Sequence, residues 1–125
     1  MTVVLIVEDN PRNLKLVRDL LEHSGYRTLE ATTAEDGLAL VRARRPDLVL
    51  MDVQLPGMDG VQALARLRAD PATNGIPVVA VTAFAMKDDR ARFAAAGFDG
   101  YLEKPISVRA FPGQITEMLN ESARA

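Results

Sequence analysis

Four stretches of the chain are apolar without interruption, and each leads to a polar group. Residues 3–7 run into Glu8 and Asp9, residues 48–51 into Asp52, residues 78–81 into Thr82, and the shorter pair Tyr101-Leu102 is followed by Lys104. Apolar runs without alternation fit strands of a parallel sheet covered on both faces. Arg27–Ala31 instead alternates polar and apolar residues, so it is expected at a sheet edge, where one side meets solvent.

Helical periodicity fills the intervals. Asn10-Pro11 supplies a capping residue and a proline at the first helical position, and Leu14, Val17 and Leu21, supplemented by Leu16 and Leu20, give a core stripe that Gly25 ends. Thr33 to Asp36 resembles a capping box with Asp where Glu is usual; Ala34, Leu38 and Val41 follow, and Pro46 closes that helix. Asp59 can cap a third helix facing inward with Val61, Leu64 and Leu67, and residues 71–77 form a return loop. A fourth, alanine-rich helix over Lys87–Ala96 is anchored by Phe93 and ended by Gly97. The last carries Phe111, Ile115, Met118 and Leu119, with Pro112-Gly113 placing its start, or a bend, near Phe111. Five strand–helix alternations imply right-handed crossovers and an α/β fold: a doubly wound, five-stranded parallel sheet in the flavodoxin-like order 2-1-3-4-5, with helices on both faces.

Composition narrows the chemistry. At 125 residues the chain is expected to be a single domain over residues 1–125, with no output domain. It has no cysteine, which removes thiol catalysis, disulfides and thiolate zinc sites, so any metal must be held by oxygen. Formal net charge is -2 with acids and bases mixed, giving no electrostatic footprint for nucleic acid or membrane. Arg42, Arg44 and Arg45 complement a helix dipole, as does His23, the only histidine. The apolar start is too short for a signal peptide and lacks a basic leader, and no apolar stretch reaches transmembrane length, so a cytoplasmic protein is expected.

Taken singly, an acid after a strand is often a helix cap, and a lysine before proline is usually a turn residue. Convergence changes that reading. In the order 2-1-3-4-5 the ends of strands one and three flank the topological switch point, which brings together Glu8, Asp9 and Asp52. Three carboxylates at close quarters recruit protons or a cation, and a hard, oxygen-liganded ion such as Mg²⁺ fits. Lys104 adds positive charge and Thr82 a donor. The chemistry this points to is attack by the Asp52 carboxylate on a phosphoryl group, assisted by Mg²⁺, Lys104 and Thr82.

Glu8-Asp9, Asp52 followed by Leu55-Pro56-Gly57-Met58-Asp59-Gly60, Thr82-Ala83, Tyr101 and Lys104-Pro105 stand in an order and spacing that resembles a response-regulator receiver domain over essentially the whole chain. Residues 81–87 and 104–108 are most similar to single-domain cell-cycle regulators of the DivK type. The resemblance implies that Asp52 accepts phosphate. It implies Mg²⁺ ligation by Asp9, Asp52 and the Gln54 backbone carbonyl, with Glu8, where many relatives carry Asp, acting through bound water. It further implies a cis Lys104–Pro105 bond, switching through Thr82 and Tyr101, phosphate lifetime set by Gln54 and Phe84, and a donor docking near Arg12, Asn13, Leu16 and Pro105.

The expected function is therefore that of a stand-alone phosphoacceptor, not an enzyme. A sensor histidine kinase or histidine phosphotransfer protein would be its donor and a downstream kinase or effector its target, with the chain a monomer or weak dimer. A shuttle passing phosphate onward, or a degenerate receiver serving only as an interaction domain, are the alternatives. A haloacid-dehalogenase-type phosphatase would want an acid where Gln54 stands. A flavodoxin-like cofactor module is disfavoured by the Glu-Asp-Asn-Pro loop after the first strand, which repels phosphate, and by the lack of phosphate-binding glycine motifs.

Overall fold

The structure, a computed structural model, describes residues 1–83 and 86–124. Strands and helices alternate along the chain as β1 (Val3–Val7), α1 (Pro11–His23), β2 (Arg27–Ala31), α2 (Ala34–Arg44), β3 (Leu48–Asp52), α3 (Gly60–Ala69), β4 (Val78–Thr82), α4 (Lys87–Ala96), β5 (Gly100–Glu103) and α5 (Phe111–Arg124). The strands form one sheet in the order β2-β1-β3-β4-β5, with all neighbouring pairs parallel. The alternating strand β2 lies at an edge, as its pattern requires. The central strands are buried on both sides, which is why they read as unbroken apolar runs.

The period of two in each strand divides the core. Leu5, Val7, Val49, Met51, Val78 and Ala80 face α2, α3 and α4, where they meet Leu38, Val41, Leu64, Leu67 and Phe93. Val4, Ile6, Leu48, Leu50, Val79, Val81 and Leu102 face the other way, against Val17 and Leu21 of α1 and Phe111 and Ile115 of α5. Full burial of each such aliphatic side chain contributes about 1.5–3 kcal/mol. Leu16 is half-exposed and outside both clusters, so the core stripe of α1 is narrower than its sequence implies.

Helix ends follow local chemistry. Asn10 Oδ1 accepts hydrogen bonds from the N–H groups of Arg12 and Asn13 at 2.9 and 3.2 Å, which opens α1. At α3 the capping box is complete: Asp59 Oδ1 accepts from Gln62 N–H, and Gln62 Oε1 accepts from Asp59 N–H. At α2 the Thr33 hydroxyl accepts from Asp36 N–H, but the reciprocal half of the expected box does not form; Asp36 is one methylene shorter than the Glu that closes it. Arg45 ends α2 at φ 45, a left-handed backbone unusual for a side chain, and the following Pro46 disfavours the right-handed helical alternative. Helix α5 begins at Phe111 as expected, behind a turn in which the Ser107 carbonyl accepts from Phe111 N–H. Pro112 therefore falls in the first helical turn, where its missing N–H is tolerated.

Arg68, near the end of α3, joins two connections, α3–β4 and α4–β5, at the amino edge of the sheet. Its Nη1 donates to the carbonyls of Asn74 and Ile76 at 3.0 and 2.7 Å, and its Nη2 to the Gly97 carbonyl at 3.0 Å and Asp99 Oδ2 at 2.7 Å. Asp99 Oδ2 also accepts from Val78 N–H at 2.8 Å. The starts of β4 and β5 and the end of α4 are thus tied to one guanidinium.

Candidate functional site

Parallel pairing aligns the carboxyl ends of β1, β3, β4 and β5, so the residues that end or follow these strands share one edge. In the β1–β3 register Val7 pairs with Met51, which places Glu8 and Asp9 beside Asp52. In the β4–β5 register Thr82 pairs with Glu103, and Lys104 N–H donates to the Thr82 carbonyl at 2.8 Å, fixing Lys104 at the same edge. The Lys104–Pro105 peptide bond is cis, as expected.

Asp52 is 2% exposed. Its Oδ1 accepts a hydrogen bond from Gln54 N–H at 3.0 Å, and its Oδ2 one from Lys104 Nζ at 3.0 Å. The same ammonium lies 2.8 Å from Glu8 Oε1, while Glu8 Oε2 accepts from Asn10 N–H at 3.2 Å. Glu8 is buried and Asp9 exposed, so the cluster opens to solvent on the Asp9 side. One carboxylate oxygen from each of Glu8, Asp9 and Asp52 lies within 4.8 Å of the others.

Electrostatics follow from this crowding. Burial pushes the Glu8 carboxyl up to about 7, helped by its hydrogen bond with and repulsion from Asp52 and opposed by Lys104 and the Asn10 N–H. Burial alone would lower Lys104, but its bonds to Glu8 and Asp52 outweigh that and hold the ammonium above its ordinary value. The donor set consists wholly of hard oxygens, with acid in excess of the one ammonium, and it fits a divalent cation such as Mg²⁺.

Thr82 is fully buried at the end of β4, and Tyr101 is half-buried on β5. Gln54 is exposed two residues after Asp52, whereas Phe84 lies outside the described residues. Arg12 and Pro105 are exposed and Asn13 and Leu16 half-exposed, in the first turns of α1 and just after β5, at the same end of the molecule as Asp52.

Gly60 is a site residue that sequence reasoning placed only within a motif. A Cβ there would stand 2.5 Å from the Asp52 carbonyl oxygen and 2.9 Å from Val53 Cα, so the first turn of α3 packs directly on the backbone of Asp52 and Val53. Arg90 is another: its guanidinium carbon sits 5.0 Å from the centroid of the Tyr101 ring. A glycine at a helix start signals close approach only once the packing partner is known, and an arginine in a polar first turn carries no signal at all.

The family model of the response regulator receiver domain matches residues 4–116. The chain belongs to that family. It is 47% identical over 119 residues to the polar-differentiation response regulator DivK of Brucella anthropi and 46% identical to that of Brucella ovis, in each case over 95% of this chain and 97% of the relative. Among solved structures, a CheY-like response regulator receiver domain from Methanospirillum hungatei superposes with a TM-score of 0.88 at 31% identity, covering 99% of this chain and 98% of that one. The receiver domain of a sensor histidine kinase from Pseudomonas aeruginosa, solved with a magnesium ion coordinated in its active-site cleft, superposes with a TM-score of 0.85 at 30% identity, over 99% and 98% of the two chains. The receiver fold and a phosphoacceptor signalling role of the DivK-like kind follow from this membership. No helix among the described residues is long and apolar enough to cross a membrane.

Proposed function

We propose that the chain is a stand-alone response regulator in which Asp52 accepts the phosphoryl group of a sensor histidine kinase or histidine phosphotransfer protein. The observation that carries this is the meeting of Glu8, Asp9 and Asp52 at the carboxyl edge of the sheet, with the Lys104 ammonium held between Glu8 and Asp52. An Asp52 carboxylate oxygen attacks phosphorus, the P–N bond to the donor's phosphoimidazolium breaks, and the imidazole, protonated throughout on its other ring nitrogen, leaves neutral. Lys104 neutralises a transferring oxygen, and the Thr82 hydroxyl receives another once it turns toward it. Asp9, Asp52 and the Gln54 carbonyl would hold Mg²⁺, with the Glu8 charge behind them; when bound, the ion offsets charge on the phosphoryl oxygens.

Phosphorylation adds a charge of about -1.5 to -2, which draws Thr82 inward and lets Tyr101 take the vacated space. The donor docks over Arg12, Asn13, Leu16 and Pro105. Gln54 and Phe84 border the path of the hydrolytic water and set the lifetime of the phosphate, so Phe84→Ala should speed its decay. By likeness to the Brucella regulators, the output is control of cell polarity and division in the cytoplasm. It passes through a downstream kinase or effector contacted by a monomer or weak dimer.

The test is labelling by acetyl phosphate. Wild type should acquire one hydroxylamine-labile phosphate that requires Mg²⁺, and Asp52→Asn should acquire none while keeping its helical content and melting temperature. Labelling retained in the variant would move the acceptor elsewhere, and none in wild type would overturn the reading.

A further inference from the structure

Helix α4 is the most lightly seated element around the site. Of its ten residues only Phe93 is buried, and its first turn has no side-chain cap. Its far end is secured: Gly97 takes a left-handed backbone at φ 107, its carbonyl accepts from Arg68, and Phe93 meets Phe98 edge-on at 5.9 Å. The near end reaches the sheet through Arg90, whose guanidinium lies 5.0 Å from the centre of the Tyr101 ring on the edge strand β5. Tyr101 itself packs on the core cluster beneath α2, α3 and α4, and its partner in β4 is Ala80, two residues before Thr82. A planar cation over an aromatic face attracts the ring quadrupole, and arginine does this better than lysine because its plane can stack.

We infer that Arg90 is a positioning residue for Tyr101: it holds the ring in its half-buried place under the guanidinium in the unphosphorylated protein and so sets how much charge at Asp52 is needed to throw the switch. The inference rests on the proposed switching role of Tyr101. Moving the ring inward takes it out from under the guanidinium, and the first turn of α4 then loses this attachment to β5. An exposed cation–aromatic pair biases such an equilibrium by about two- to fivefold.

The chain contains two tyrosines and no tryptophan, so Tyr101 can be followed directly by NMR of protein labelled in the tyrosine rings, with Tyr26 assigned from Tyr26→Phe. Arg90 is exposed, and glutamine keeps the helix propensity of its position, so Arg90→Gln should fold as wild type does. Without any phosphate donor, the Tyr101 ring signals of Arg90→Gln should move part of the way toward their position in wild type phosphorylated by acetyl phosphate and Mg²⁺. The expected change in conformer ratio is about two- to fivefold, with Arg90→Lys in between. The same displacement should appear when Arg90→Gln is combined with Asp52→Asn, which makes it independent of the acceptor. Ring signals unmoved in Arg90→Gln, or moved equally in Arg90→Lys, would overturn the inference. If acetyl phosphate leaves wild type unlabelled, the phosphoacceptor reading fails by itself. If wild type is labelled but Tyr101 stays in place, the switch reading fails and this inference with it. The contact is then scored separately by the upfield shift of the Arg90 side-chain protons, which Tyr101→Ala should abolish.

Discussion

Glu8 and Lys104 form a largely buried ion pair, 2.8 Å from Oε1 to Nζ, and that ammonium is shared with Asp52 at 3.0 Å. One cation therefore faces two buried carboxylates, and the deficit falls on Glu8.

The first consequence is a pH dependence of stability in the metal-free protein. The Glu8 carboxyl rises from 4.5 to about 7 on folding, chiefly through burial. A group whose folded value lies above its unfolded one contributes stability that is complete below the unfolded value and lost as pH climbs through the folded value. Glu8 thus favours the fold below about pH 4.5 and loses that contribution between there and about pH 7, by at most about 3 kcal/mol. Lys104 is also raised, but its contribution is lost only above its ordinary value of 10.5, outside this window. Glu8→Gln fixes the neutral form. In denaturant titrations with chelator, its stability relative to wild type should climb between pH 5 and pH 8. A difference independent of pH would show that Glu8 is already ionised at pH 5.

Metal binding should oppose that trend. A cation held by this cluster needs its carboxylates charged, so binding releases a proton in the pH range where Glu8 titrates. Addition of Mg²⁺ should therefore raise the melting temperature of wild type more at pH 8 than at pH 6. In Asp9→Asn most of the increment should vanish at both pH values. Calorimetry in buffers of different ionisation enthalpy would count the proton, and equal Mg²⁺ effects at pH 6 and pH 8 would count against a proton-linked site.

The parts of the site that carry charge were legible in the sequence because each follows an apolar run, and a parallel sheet must bring strand ends to one edge. The position of β2 was legible for the opposite reason: Arg27, Thr28 and Glu30 interrupt its apolar residues, and only an edge tolerates that. Arg68 was not. Three of its four hydrogen bonds go to backbone carbonyls, which every residue has, so nothing about Asn74, Ile76 or Gly97 marks them as its partners. Arg45 was equally hidden, since a left-handed helix end is read from glycine and here follows from Pro46. The contact of Arg90 with Tyr101 depends on where a lightly anchored helix settles, which composition does not determine.

Arg68 should accordingly be a stability hot spot far from the chemistry. Its removal leaves the partly buried Ile76 and Gly97 carbonyls short of a charged donor, where such bonds are worth about 1.5–3 kcal/mol each but are not additive, and it also unpairs the more exposed Asp99. Arg68→Ala should cost about 2–4 kcal/mol by denaturant unfolding. Arg68→Lys should recover less than half, because one ammonium cannot span four acceptors on two connections. Acetyl phosphate labelling at low temperature should persist in both variants. Full recovery by lysine would mean that charge near Asp99, and not the forked geometry, is what matters.

Gly60 offers the sharpest separation of backbone geometry from side-chain chemistry. It opens α3 behind the Asp59 cap, donates its N–H to the Val53 carbonyl at 3.0 Å, and leaves no room for a methyl group between itself and the Asp52 carbonyl. The two nearest obstructing atoms belong to the backbone, so they cannot swing aside as a flexible side chain would. Gly60→Ala must push α3 off the end of β3 or twist the segment from Asp52 to Gln54. Either movement shifts the Gln54 N–H that holds Asp52 Oδ1. We expect a loss of about 1–3 kcal/mol, the usual cost of overpacking, together with at least a tenfold slower reaction with acetyl phosphate, a barrier increase of about 1.4 kcal/mol. Gly75→Ala is the control: it lies in an exposed loop with nothing within 4 Å of the added Cβ, and should alter neither quantity. If Gly60→Ala is destabilised but labelled at the wild-type rate, the close contact serves packing alone, and the geometry of Asp52 does not depend on it.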